Sequence, residues 1–320
     1  MSSGAWSTSG AASGSALRHR QARQRQRQRR SGVYLLVAPA VLTLAAWYYY
    51  PVIHSFVMSL YDWDGFLSAR WVALQNFQEL FTDPEFWISL RNMAIVLAFS
   101  LTIPFLVPFF AAELVTELDS PRWRQFYRTL LVLPVVVPSV IWILMWRTIY
   151  DPTTGALNRF IRLLGSPDFS FNWLNEPSTA LGALLFIGFP FVSSTALLFF
   201  SAALEDIPRD IFDAARVDGV PRWRRIRHID LPFCLPQLRF LLVTSFAGII
   251  ANYTSVLLLT QGRPLNRTLL PGYYLYRASA GDQRYGYASA VSLVLVAFIL
   301  AITVVVQRRI RSDAEFGAGT

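Results

Sequence analysis

Apolar residues along this chain come in long blocks rather than in alternation. Six blocks stand out, at residues 33–53, 92–112, 129–146, 177–204, 240–260 and 285–306. A hydrocarbon core takes roughly 20 residues of helix to cross, and these blocks meet or approach that length. Each predicts an α-helix, because an open strand leaves its backbone unpaired in lipid. A β-barrel would instead show short alternating segments. The third block is the shortest; it reaches across if Arg128 and Arg147 extend to opposite interfaces. Prolines fall inside the blocks at Pro39, Pro104, Pro108, Pro134, Pro138 and Pro190, where a bundle tolerates kinks. The expected fold is all-α, a polytopic membrane protein with six transmembrane helices over residues 31–312. Residues 1–30 read as a disordered basic tail and 313–320 as a short C-terminal tail.

Charge sets the expected orientation. Arginines gather in the N-terminal run "RHRQARQRQRQRR", after the second block (Arg122, Arg124, Arg128), after the fourth (Arg209 to Arg227) and after the sixth (Arg308, Arg309, Arg311). Those regions share one side only for an even span count, which places both termini in the cytoplasm. The basic run also suits anionic lipid. The loop after the first block is acidic, as an external loop should be, with Asp62, Asp64, Glu79, Asp83 and Glu85. One loop dissents. Residues 261–284 should be external, yet hold Arg263, Arg267, Arg277 and Arg284. A short helix at the membrane edge, "LLPGYYLYRASA", with its tyrosines at the interface, is expected there.

Composition agrees with a lipid-facing protein: 54% of residues are hydrophobic and 15% charged, against about a quarter charged in soluble domains. The net charge of +9 is carried at block ends, which fits membrane topology better than nucleic acid. The single cysteine, Cys234, leaves no intrachain disulfide, and His19, His54 and His228 are far apart. No catalytic constellation appears, and the chain has no lysine, which excludes a P-loop. No cofactor is expected on this chain; any ATP and magnesium belong to another subunit. Ser193 and Ser194 are expected to pack helices rather than attack substrates.

The stretch 207–232, "IPRDIFDAARVDGVPRWRRIRHIDLP", is the most charged between two blocks. Pro208 can open a helix over "PRDIFDAARV", with Ile211, Ala214, Ala215 and Val217 on one face. Gly219 can end it at positive φ. Pro221 can start a second helix, "PRWRRIRHID", with Trp223 and Ile226 facing one way and Pro232 closing it. Such a hairpin either lies on lipid headgroups or docks into a partner's groove.

Here the residues resemble a family. "DAARVDG" followed by "IDLP" is similar to the EAA motif of permease subunits of binding-protein-dependent ABC importers. Ala214, Ala215, Asp218, Gly219, Leu231 and Pro232 match the motif, and Asp213 stands where glutamate is usual. The segments "LVAPAVLTLAAWYYYPVIHSFVMSLYDWDG", "FYRTLLVLPVVVPSVIWILMWRTIYDPTTGALN" and "YGYASAVSLVLV" resemble the carbohydrate-uptake branch, as in permeases for maltose-like sugars and glycerol 3-phosphate. The family often has T-G-G-G-P after the fifth block; here "TQGRP" puts Gln261 and Arg263 in place of glycines. The resemblance implies a non-enzymatic subunit forming half of a pathway for a sugar, oligosaccharide or polyol. It implies a second six-span permease, two ATPase subunits docking at a cytoplasmic coupling loop (205–235), and an extracytoplasmic solute-binding protein. Candidate solute contacts are Asn252, Tyr253, Thr254 and Ser255, with Ser289 and Ser292 weaker. The rival reading is a self-sufficient carrier or channel. That reading calls for carboxylates well inside a block or for internal repeats, and neither is evident.

Overall fold

The computed structural model describes residues 36–66 and 68–309; the two tails lie outside them. The chain is mostly helical and divides into two compact units, up to Val57 and from Met58 onward. The first unit contributes α1 (Leu36–Met58), an apolar helix of 23 residues that passes through a wider π-type turn at Ala45–Tyr49. Its side chains, including Trp47, Tyr48 and Phe56, are exposed, as suits a helix whose solvent is acyl chain.

The second unit opens with the one departure from an all-α fold among the described residues. Strands β1 (Tyr61–Trp63) and β2 (Ala69–Trp71) pair antiparallel, with Tyr61 opposite Trp71. The two rings meet edge-on at 5.1 Å, and Arg70 reaches Asp62 across the ladder at 3.2 Å. Short aromatic-rich strands at a turn were hidden in a polar loop. Buried Asn76 then ties α2 (Gln75–Thr82) to the hairpin, donating to the carbonyls of Ser59 and Tyr61.

Asp83 caps α3 (Pro84–Ser100), accepting from the Glu85 amide at 2.8 Å with Pro84 in the first turn. A break at Leu101–Thr102 separates it from α4 (Ile103–Thr116), and the pair runs as one apolar helix of 33 residues, Pro84–Thr116. The third block does not form one straight helix. α5 (Pro121–Val132) tightens into a 3₁₀ turn at Leu133–Val136 and meets α6 (Ser139–Ile149) at an 87° bend. Pro134 and Pro138 cause it, since neither can donate to the helix ladder. After α7 (Ala156–Leu163), the fourth block is also broken: α8 (Ala180–Phe186) and α9 (Ser194–Glu205) flank irregular backbone around Pro190. Ser193 caps α9 at the Ala196 amide, and the Ser194 hydroxyl donates to the Leu131 and Val132 carbonyls. Ser193 thus caps its own helix, and Ser194 ties α9 to α5.

The polar hairpin follows as α10 (Arg209–Val217) and α11 (Arg222–Phe233), then α12 (Leu235–Ala251) at a 64° bend. The fifth block stops at Asn252–Tyr253 and restarts as α13 (Thr254–Leu259). α14 (Pro271–Tyr276) and the long α15 (Tyr285–Arg309) complete the fold. Among the described residues, three helices are long and apolar enough to cross a membrane, or up to five when each bent pair counts as one span.

Two of the four dissenting arginines of the loop 261–284 find acid partners. Arg277 pairs with Glu85, and Arg284 grips Glu79 through two bonds of 2.6 and 2.7 Å. Asn266 donates to Glu85 at 2.8 Å, and Asn92 donates to the Asn266 and Leu269 carbonyls. The acidic first loop therefore neutralises two of the four arginines of the last loop. The expected interfacial placement of the tyrosines is corrected: Tyr273 and Tyr274 are buried in the main core with Phe86, Met93, Ile250 and Val291. The Tyr274 hydroxyl reaches Asp83 and lies 2.5 Å from that of Tyr287. Burial first, then the Asp83 bond, pushes the Tyr274 phenol far above its ordinary value.

Candidate coupling surface and solute pathway

Pro208 precedes α10 as its N-cap residue, and the helix ends in a Schellman cap. The Gly219 amide donates to the Arg216 carbonyl at 3.1 Å and the Val220 amide to the Ala215 carbonyl at 2.9 Å. That geometry requires a left-handed residue, and Gly219 sits at φ +62°. The inward face differs from the one expected. Ile211, Phe212 and Ala215 pack on the core, while Ala214 is exposed and Val217 is 88% exposed. The exposed side carries Asp213, Ala214 and Val217, with no ion pair for Asp213 among the described residues. α11 also differs. It widens into a π-type turn at Ile226–Asp230 and ends at Phe233, one residue past Pro232, before the 64° bend into α12. Ile226 packs inward, whereas Trp223 is exposed, and Leu231 and Pro232 are exposed as well.

What fixes this hairpin is a buried ionic node. Arg225 donates from Nε to Asp230 at 2.9 Å, and from Nη2 to Glu117 at 2.6 Å and Glu113 at 3.3 Å. Arg222 reaches the other Glu117 oxygen at 2.5 Å. Glu113 and Asp230 are 2% and 1% exposed, so one guanidinium compensates two buried carboxylates. The Arg225 guanidinium also lies over the Phe212 ring at 5.3 Å, joining α10 to α11. Beneath, Ala112 of α4 and Ala196 and Ala203 of α9 let the two helices approach closely. Glu113, Glu117, Arg225 and Asp230 escaped the sequence reading. The signal present was an acid at the end of an apolar block, 112 residues from its arginine.

A second feature gathers the helix interruptions. One cavity of roughly 550 Å³ is lined by residues from the α3/α4 break (Ser100, Pro104), the α5/α6 bend (Pro134, Val137), the α8/α9 break (Phe189, Phe191) and the end of α12 (Asn252). Irregular backbone inside a membrane fold is tolerated where it lines a cavity. Asn252 is the pathway candidate found there. Its Oδ1 also accepts from the Ser255 hydroxyl at 3.1 Å, capping α13. Tyr253 points elsewhere, stacked on Tyr276 at 4.9 Å and 9°. Thr254 and Ser255 lie in the first turn of α13. Ser292 donates to the Ser289 carbonyl within α15, and neither serine lines this cavity. α14 packs against the interruption because Gly272 has no Cβ; one would sit 2.7 Å from the Ile250 carbonyl and 2.9 Å from that of Asn252.

A polar hairpin bolted to the end of an interrupted helical bundle matches known proteins. Residues 105–312 match the family "Binding-protein-dependent transport system inner membrane component". The chain belongs to this family. It is a permease subunit of a binding-protein-dependent transport system, and a membrane protein. This permease is 32% identical over 77% of its length to the diacetylchitobiose uptake system permease protein of Streptomyces coelicolor, covering 72% of that protein. It is 30% identical over 88% of its length to the sn-glycerol-3-phosphate transport system permease protein of Salmonella choleraesuis, covering 95%. In fold it is similar to a chain of a bacterial ABC transporter involved in import of the acidic polysaccharide alginate, with a TM-score of 0.76 and 22% identity. That likeness covers 90% of this permease and 99% of that chain.

Proposed function

We propose that this permease forms half of an ATP-driven import pathway for a sugar, oligosaccharide or polyol-type solute. A second six-span permease completes the pathway, and a solute-binding protein delivers to it. In this reading the chain crosses the membrane six times with both termini cytoplasmic, the fourth crossing being the broken α8–α9 pair. Separate ATPase subunits bind ATP and magnesium and receive residues 207–232 in a cleft. The names of the relatives, uptake proteins for a chitin disaccharide and glycerol phosphate, support the solute class.

The observation that carries the coupling reading is the combination of an exposed hairpin and a rigid root. Asp213, Ala214, Asp218 and Gly219 face outward, while Arg225 locks the hairpin to α4 through Glu113 and Glu117. A push on the hairpin is therefore transmitted to α4 and, through α9, to the helices around the cavity, as a rigid-body two-state change requires. Asn252 is the proposed solute contact, with the Phe189 and Phe191 rings offering faces for a sugar.

The test is Gly219→Pro in the assembled transporter. Proline fixes φ near −65°, which the observed φ of +62° forbids. Uptake is expected to fall at least tenfold while membrane insertion and ATP hydrolysis persist. Normal uptake by that variant sinks the docking claim.

A further inference from the structure

Two arginines far apart in sequence, Arg147 and Arg263, line one cavity of roughly 610 Å³ together with Asn172, Asn175 and Gln261. The walls are held firmly. Thr268, fully buried, donates to the Arg263 carbonyl at 2.7 Å, and its hydroxyl lies 2.8 Å from that of Thr260. Asn158, fully buried, donates to the Pro152 and Phe171 carbonyls and accepts from the Trp173 indole. Those bonds set the segment that carries Asn172 and Asn175. Both arginines lack a counter-ion among the described residues. Arg263 has no side-chain partner there, and Arg147 makes only a 3.5 Å approach to the Leu258 carbonyl. The contrast within one loop is sharp, since Arg277 and Arg284 each hold a glutamate. The one acid on the wall is Asp151. Its Oδ1 accepts from the amides and hydroxyls of Thr153 and Thr154, so it faces its own turn.

We propose that this cavity binds an anionic group, a carboxylate or a phosphate, carried on a saccharide. Two guanidinium forks suit either anion, and the amides of Asn172, Asn175 and Gln261 suit neighbouring hydroxyls. The site lies on segments that the six-span reading places outside. It rests on the transport reading above and narrows its solute to an acidic sugar admitted at the outer mouth. Arg263 then supplies half of the charge.

The test reconstitutes the complete transporter with its binding protein in vesicles loaded with ATP. Three labelled probes are offered: an oligouronate, a sugar phosphate and a neutral oligosaccharide of matched length. ATP-driven uptake of one anionic probe is expected, and which one distinguishes carboxylate from phosphate. R147Q combined with R263Q should raise its KM about tenfold or more, and the double lysine variant, which keeps the charge but not the fork, should restore part of that loss. A purely structural role would not be rescued by lysine. Uptake of the neutral probe alone, or an unchanged KM in the double glutamine variant, overturns the anion site and leaves the transport reading standing. No ATP-driven uptake of any probe overturns both.

Discussion

Arg225 shows how much can depend on one side chain. It stands between Glu113, Glu117 and Asp230, and its removal leaves two buried carboxylates facing each other. Arg225→Ala is expected to cost about 3–5 kcal/mol, the scale for breaking a buried pair from one side. Thermal unfolding of the purified permease should show it, with Glu117→Gln much milder because Glu117 is partly exposed. Gln261 makes a smaller point. It adopts φ +53°, a region costing an ordinary residue roughly 1–2 kcal/mol. Gln261→Gly should raise thermal stability slightly, and Gln261→Val should lower it. The turn demands that conformation, which glycine adopts freely, and it persists here with glutamine in it. The match of "DAARVDG" showed where the hairpin lies. It could not show that Val217 points outward and Phe212 inward, because only the packing of α10 against its neighbours decides that.

At the scale of elements, the interruptions matter more than the helices. The prolines announced kinks, but not that four breaks would line one cavity. Gly272 keeps α14 against one of them. Gly272→Ala should cost about 1–3 kcal/mol by overpacking, seen as a lowered midpoint in a thermal melt. An unchanged midpoint would mean that α14 does not press on the Asn252 carbonyl. The Asp151 turn offers a pH test. Four hydrogen bonds, first that from the Thr154 amide, hold this carboxyl well below the usual carboxylate range. A depressed folded pKa stabilises the turn above the ordinary aspartate value of 3.8 and loses that contribution as pH falls further. Protease cleavage between residues 150 and 175 should thus stay flat from pH 8 to about 5 and rise only below about pH 4. Asp151→Ala should remove that dependence.

At the scale of the whole molecule, topology is the question the helices pose most sharply. Cys234 is the single cysteine and is fully buried, so the native protein offers no reactive thiol background. Single cysteines placed at Val217 and at Leu265, 88% and 79% exposed, should label from opposite sides of the membrane. Labelling from the same side contradicts the six-span reading. In the six-span reading, the ion pairs that staple the first loop to the last, Arg277 with Glu85 and Arg284 with Glu79, let a basic loop sit where charge rules disfavour it. The rules count residues along the chain, whereas the membrane meets the charge left after pairing.

Block length by itself pointed to a helical membrane protein, and the ordered motifs pointed to the family that the match over residues 105–312 shows. Those are local properties, written in consecutive residues, so a linear reading reaches them. The ionic node of Glu113, Glu117, Arg225 and Asp230, the shared cavity of the broken helices, and the meeting of Arg147 with Arg263 belong to the tertiary structure. Each joins residues tens to more than a hundred positions apart. Their energy comes from proximity in a low-dielectric interior, which a chain acquires only once its helices have packed.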